Sequence, residues 1–299
     1  MRLNRHSNLV FAGTVALYVL TLLGIGGYLW HLNSGTMPNR VAFNTLGLYD
    51  IYWYGIILLV SFLVAAWLSG SLSLADQDLS ITFWYYPIWI TSIGLLFARL
   101  FDVFLITPVA KMQGISTTFD YFRNPSLLFN LAWGGLNPWG AVYGVGILLT
   151  VLAVWRGKSV IGTWFRAIVA LLIVSSLAQW GHFLNQELYG YPTQSIMGIT
   201  IAPDLRLPSM VESVRFVPVF LFAAIWYLAG STWLIFDKRW YGAKHNLMDG
   251  ALVGLIWYVV GKLYFELSTP NSLLNWLPAS LILLLIVALA FKQHLSKIR

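Results

Sequence analysis

Apolar residues run along this chain in long stretches broken by short polar clusters. The unbroken runs exceed the roughly 18 residues needed to cross about 30 Å of hydrocarbon. They predict helical spans at 10–30, 52–70, 84–106, 138–155, 164–186, 214–236, 250–268 and 276–292. A membrane β-barrel would instead show short segments alternating at a period of two. Trp and Tyr gather near span ends, as in "YDIYWYG", "FWYYPIW" and "NPWGAVY", where an interfacial belt would sit. The pattern predicts an all-α polytopic membrane protein of about eight transmembrane helices. Its first span has a basic start but no clear small-residue cleavage site, so it is read as a retained helix.

Composition supports this class and narrows the chemistry. Of 299 residues, 59% are apolar and only 10% charged, against about a quarter charged in soluble domains. The absence of Cys excludes disulfides and thiolate catalysis by this chain. The net charge of +7 does not mark a nucleic-acid binder, because most of the basic residues are scattered over the loops and ends outside the spans. Counting them sets orientation. With both termini cytoplasmic, Arg2, Arg5, Arg156, Lys158, Lys238, Arg239, Lys244, Lys292, Lys297 and Arg299 face inward. Only half as many, Arg40, Lys111, Arg123, Arg206 and Arg215, face outward. The long connections 107–137 and 187–213 then lie outside, and their aromatic, Pro and Gly content predicts small folded extracytoplasmic caps.

Polar side chains at membrane depth are costly and mark functional sites by default. At 100° per residue, Gln179, His182, Asn185 and Gln186 share an arc of about 120° on one helix. Glu187 would project elsewhere if the helix continued, but the Gly-Tyr-Pro that follows predicts an end there. Any one of these residues is more simply explained as helix–helix glue; five together beside an outer loop favour a site. In "GLIWYVVGKLYFELSTP", Tyr258, Lys262 and Glu266 recur every four residues on one face. Lys262 and Glu266 can pair, and Lys262 can offer an ammonium to a phosphate with Tyr258 as a hydroxyl donor. In "LLFARLFDVF", Arg99 and Asp102 are three apart, and mutual pairing is the simpler account. Gly140 and Gly144 have the spacing of close helix packing, and Gly134-Gly135 could bring backbone N–H groups to a phosphate. No nucleotide-binding, metalloprotease or serine-hydrolase motif is present.

In order, these segments resemble the prolipoprotein diacylglyceryl transferases, from about residue 46 to 292. "IYWYGIILLVSFLVAAWL" is similar to the family's WYG-containing first helix, and "PIWITSIGLLFARLFDVF" to its Gly-Ala-Arg-Leu segment. "WGGLNPWGAVYGVG" parallels its Gly-Gly…His-Gly-Gly segment. "AQWGHFLNQELYGYPT" parallels its Gly-Arg-x-Gly-Asn-Phe-x-Asn-x-Glu-x-x-Gly-Arg-Pro-Thr signature, and "YVVGKLYFE" its Tyr-Gly-x-x-Arg-Phe-x-x-Glu helix. Residues 1–45 would be an additional N-terminal helix and loop, and 46–299 the transferase-like membrane domain of seven helices.

The departures fall on charged and catalytic positions. Trp139 stands where the family carries its His, Gln179 where it carries the signature Arg, and His182 where it carries the first Asn. Tyr191 and Lys262 replace two further Arg residues, and "VPVFLFA" keeps only Pro218 of another segment. Tyr54, Arg99, Asn185, Glu187, Gly190, Tyr258 and Glu266 match.

The resemblance implies transfer of a diacylglyceryl group from phosphatidylglycerol, or a similar anionic phospholipid, to the lipobox Cys of prolipoprotein signal peptides. It implies no cofactor, no metal and no nucleic acid, in the bacterial cytoplasmic (inner) membrane. His182, Glu187 and Tyr258 are then candidates for catalysis. Tyr54, Arg99, Gln179, Asn185, Gly190, Lys262 and Glu266 are candidates for substrate binding. A neutral imidazole titrating near pH 6.5 suits His182 to proton transfer, while Lys262 with Arg99 would supply positive charge. Two alternatives stand: a phospholipid-binding scaffold without catalysis, and a related lipid transferase with another acceptor. A transporter would require discontinuous helices in related halves, and no convincing pair occurs.

Overall fold

The computed structural model describes residues 2–36, 39–44, 50–72, 82–105, 115–129, 138–237 and 244–270. The expected span at 276–292 and the Gly134-Gly135 pair lie outside the described residues. Seven long helices are described: α1 (Arg2–Ser34), α2 (Trp53–Ser71), α3 (Thr82–Leu105), α6 (Pro138–Trp155), α7 (Val160–Asn185), α8 (Val219–Phe236) and α9 (Lys244–Leu267). Two short helices, α4 (Thr118–Arg123) and α5 (Ser126–Phe129), lie between α3 and α6. Five of the described helices, α1, α2, α7, α8 and α9, are long and apolar enough to cross a membrane. The protein is a multi-pass, all-α membrane protein.

Helix limits differ from the apolar runs where local chemistry intervenes. α7 starts four residues before its run, because the Ser159 hydroxyl caps it by accepting the Gly162 N–H at 3.1 Å. α8 starts five residues after its run, because Arg215–Phe216 is a strand instead. The α6–α7 turn is a Schellman motif. The Lys158 N–H reaches Ala153 C=O at 2.8 Å and the Gly157 N–H reaches Val154 C=O at 3.1 Å. Gly157 occupies the left-handed position, at φ 62°, where a side chain would be strained.

α7 is the central helix, packed against α2, α6, α8 and α9. Its Phe165, Val169, Leu172, Ile173, Leu177 and Phe183 are buried in one continuous core. About 39 Å long at 1.5 Å per residue, it spans the whole bundle. α8 and α9 lock together where Trp226 and Trp257 stack at 4.4 Å. Each indole N–H donates to the other residue's backbone carbonyl, at 3.0 and 2.9 Å. Gly230 and Gly261 leave room for those indoles. α3 and α6 form a second pair, with Gly140 and Gly144 of α6 against Phe97 and Phe101 of α3, the close approach that small residues four apart allow. α1 lies on α2 and α7, with Gly13 against Leu68 and Gly24 against Trp180.

Successive long helices alternate in direction. One end of the bundle therefore collects the end of α1, the start of α2, the end of α3, the start of α6, the end of α7, the start of α8 and the end of α9. Two hairpins cover that end. β1 (Val41–Asn44) pairs with β2 (Asp50–Tyr52), and β3 (Ile199–Thr200) with β4 (Arg215–Phe216). The 187–213 connection is a folded cap. The Tyr189 hydroxyl donates to Leu205 C=O and accepts from Leu207 N–H. α1 fastens to this cap, with Tyr28 OH on Met197 C=O at 2.6 Å and the Thr200 N–H on His31 Nε2 at 3.2 Å.

Candidate functional site

The end of α7 builds the densest polar group. It closes in the same motif as the α6–α7 turn: the Gln186 N–H bonds Phe183 C=O at 3.0 Å, and the Glu187 N–H bonds His182 C=O at 2.8 Å. Here the left-handed position holds Gln186 at φ 59° rather than Gly, and Leu188 follows at φ 52°. Each costs about 1–2 kcal/mol. The turn reverses the chain, so Glu187, which a continued helix would have sent elsewhere, folds back over the last turn.

The Glu187 carboxylate consequently meets its own helix. Oε2 lies 3.2 Å from His182 Nδ1, and Oε1 accepts from Asn185 Nδ2 at 3.2 Å. An ionised carboxylate only accepts, so the hydrogen between the two groups sits on His182 Nδ1. The imidazole is partly exposed, at 25% of its side chain. Burial pushes the Glu187 carboxyl up. The hydrogen bond and charge of His182, the Asn185 amide and the Arg40 guanidinium outweigh this and hold it below the ordinary Glu value.

Tyr54, the second residue of α2, packs against the imidazole with ring centroids 5.1 Å apart. It can do so because residue 181 is Gly: a Cβ there would lie 2.7 Å from Tyr54 Cδ2. One turn deeper on α7, Gln179 is buried. Its Nε2 donates to Ser175 C=O at 3.0 Å. Gln179 Oε1 and Asn185 Oδ1 are buried without a hydrogen-bond partner among the described residues. Both amides are oriented by the acceptors they already serve, which leaves these two oxygens as open acceptors among the described residues. Gly190 is a packing residue. Its N–H goes to Val217 C=O at 2.8 Å, and a Cβ there would crowd Val219, Val217 and Ser268 C=O.

A second group lies on α9, whose end reaches Gly190 through Ser268. Lys262 Nζ and Glu266 Oε1 pair at 2.6 Å, with side chains 24% and 19% exposed. Tyr258, buried one turn deeper, packs against Trp139 at 6.0 Å and Tyr227 at 5.8 Å. Trp139, at 1% exposure, thus fills α6's place beside Tyr258.

Arg99 does different work. It pairs with Asp102 at 3.1 Å and donates to Leu127 C=O, while its guanidinium stands over Tyr121 at 5.4 Å. Tyr121 in turn donates to Asp102 at 3.2 Å. This set fastens the α4–α5 segment to α3. α4 itself is closed by a capping box between Thr117 and Asp120.

Among the sequence-derived candidates, the structure brings Tyr54, His182, Asn185 and Glu187 into direct contact, with Gln179 below them. It joins Tyr258, Lys262 and Glu266 on α9, and shows Arg99 bonded to the α4–α5 segment. Arg40, which acts electrostatically on Glu187, had been counted only as a loop charge. Its signal in the sequence was that no other basic residue occurs between α1 and α2. No group of three or more His, Asp and Glu side chains fit to hold a metal occurs among the described residues.

Comparison with known proteins adds independent information. The model of the family described as prolipoprotein diacylglyceryl transferase matches residues 40–296. The chain is similar to phosphatidylglycerol–prolipoprotein diacylglyceryl transferases of Bacillus cereus. It is 31% identical to that of strain B4264 over 255 residues, covering 81% of this chain and 85% of the relative. It is 31% identical to that of strain Q1 over 254 residues, covering 80% and 85%. The Bacillus mycoides (strain KBAB4) protein of the same name is 30% identical over 254 residues, covering 80% and 85%.

Proposed function

The chain belongs to the prolipoprotein diacylglyceryl transferase family, and from that premise we propose that it moves the diacylglyceryl group of phosphatidylglycerol to the lipobox Cys thiol of prolipoproteins. In this reading the thiol loses its proton to His182 Nε2, since the thiolate is the nucleophile. The thiolate attacks the glyceryl carbon that carries the phosphate ester. A C–S bond forms, the C–O bond to phosphate breaks, and glycerol phosphate leaves with the electron pair. The proton held by His182 passes to the departing phosphate or to solvent.

Each remaining group has a task that its chemistry fits. Glu187 fixes the His182 tautomer and stabilises the imidazolium, and Tyr54 packs the ring in place. Lys262, a usable point charge where the family carries Arg, offsets the negative charge that grows on the phosphate. Tyr258 and the open acceptors of Gln179 and Asn185 would orient the lipid headgroup, while the diacyl tails remain in hydrocarbon. The distribution of basic residues supports placing this end at the outer face of the cytoplasmic membrane, with both termini inside. Residues 1–45 would form an added helix fastened to the transferase domain.

One observation carries this reading: an imidazole pinned at Nδ1 by a carboxylate, with no partner on Nε2 among the described residues, at the crowded end of the bundle. The test pairs complementation of a bacterial strain depleted of its own transferase with turnover of a lipobox peptide by purified protein in phosphatidylglycerol micelles. We expect rescue by the wild-type chain, and loss of about 10²–10⁴ in turnover for His182→Ala. Full turnover by His182→Ala would remove this mechanism. Failure of the wild type in both assays would favour a lipid-binding scaffold without catalysis.

A further inference from the structure

Beside the His182–Glu187 pair lies a cavity of about 330 Å³, lined by Arg40, Tyr52, Gln186, Ala202, Asp204 and Leu205 among others. Its charge is placed at two opposite kinds of group. Arg40 comes from the start of β1, where its own C=O accepts the Trp53 N–H and ties it to the start of α2. Its guanidinium carbon stands 5.9 Å from the Tyr52 ring centre. Its Nε is buried with no hydrogen-bond partner, and among the described residues no carboxylate pairs with it. Among the described residues no acceptor takes this Nε–H, so at least one charged donor is open to a ligand. Gln186 is anchored by its Oε1, which accepts the Ala202 N–H at 2.8 Å. Its amide NH₂ group makes no hydrogen bond among the described residues. Asp204 adds an exposed carboxylate.

We propose that this cavity is a second binding site for a glycerophosphoryl group, separate from the reacting position beside Lys262, with the phosphate on Arg40 and the Gln186 amide and the glycerol hydroxyls on Asp204. The inference rests on the transferase reading and adds a headgroup site to it. Size fits a headgroup: about 330 Å³ is at the small end for ligand pockets, about 300–1,000 Å³. Charge argues for a diol phosphate over a bare anion, because Asp204 would repel a second anionic oxygen and accepts readily from hydroxyls. Location argues for a link to the reaction. Gln186 precedes Glu187 in the chain, and Arg40 is within electrostatic reach of the Glu187 carboxylate.

The same chemistry has two sources: the headgroup of intact phosphatidylglycerol, or glycerol phosphate after release. The test measures binding of sn-glycerol 1-phosphate, glycerol and inorganic phosphate to purified protein in detergent by calorimetry, without acceptor peptide. Absent turnover would thus sink the proposed function and leave this measurement intact. Arg40→Ala should weaken glycerol phosphate binding about ten- to a hundredfold, with Arg40→Lys in between. Asp204→Asn, at an exposed position, should erase the preference for glycerol phosphate over inorganic phosphate. It carries the test if Arg40→Ala fails to fold. A raised KM for phosphatidylglycerol in these variants assigns the site to the lipid. A raised inhibition constant for glycerol phosphate, with KM unmoved, assigns it to the product. Equal binding by wild type and folded variants, or none by the wild type, overturns the proposal.

Discussion

The Tyr54–His182 contact depends on a missing methyl group, so adding one is an informative perturbation. In Gly181→Ala, the new Cβ would sit 2.7 Å from Tyr54 Cδ2, 3.3 Å from Cε2 and 3.4 Å from the Tyr54 backbone Cα. Ordinary carbon contacts need about 3.5–4.0 Å, so the ring must retreat by roughly 1 Å. Its Cα, near the start of α2, allows only a few tenths. Overpacking of this kind costs about 1–3 kcal/mol, and a displacement near 1 Å at a positioning group can cost about 10²-fold in rate. We expect a lower melting temperature and a turnover loss approaching two orders of magnitude. Tyr54→Ala supplies the control. In that background the added methyl has nothing to strike, so the further stability loss on Gly181→Ala should nearly vanish while activity stays low. The assay is therefore a double-mutant cycle on melting temperature, run beside kcat and KM with the lipobox peptide. A Gly181→Ala protein with wild-type melting temperature and turnover would refute the packing argument. So would an unchanged penalty in the Tyr54→Ala background.

Other outcomes follow from the same geometry. Lys262→Met leaves the Glu266 carboxylate largely buried and unpaired, at about 3 kcal/mol; adding Glu266→Gln should restore the melting temperature but not turnover, and recovery of both would mean that the pair is structural only. Arg99→Ala should release the α4–α5 segment, read as faster limited proteolysis within 115–129. For Glu187, whose folded carboxyl lies below its ordinary value of 4.5, the stabilising contribution is present above that value and lost as pH falls through the lower folded one; the melting-temperature gap between wild type and Glu187→Gln should be full near neutrality and close in acid. Gly24→Ala drives a methyl into the Trp180 indole and should loosen α1, read as faster hydrogen exchange in α1 with α7 less affected.

The sequence reached a good part of this by simple physics. A run of apolar residues must form a hydrogen-bonded helix in hydrocarbon whatever its neighbours do. Span positions among the described residues, fold class and the α6 limits were therefore legible, as was the pairing of residues three or four apart, Arg99 with Asp102 and Lys262 with Glu266. The arc of Gln179, His182 and Asn185 followed from 100° per residue alone. Helix ends were less legible, because a Ser cap at 159 and a strand at Arg215–Phe216 override hydropathy.

What tertiary structure decided lay beyond any helical period. Whether Glu187 met His182 depended on a left-handed turn at Gln186, a conformation that Gln gives no reason to expect. That Tyr54 would face the imidazole depended on α2 settling against α7 at Gly181, more than a hundred residues away in sequence. Arg40 had looked like one more loop charge, since nothing local ties a residue just before a strand to a carboxylate at the far end of another helix. Along one helix, fixed geometry places side chains from sequence alone; between helices, only the packing of the whole bundle does.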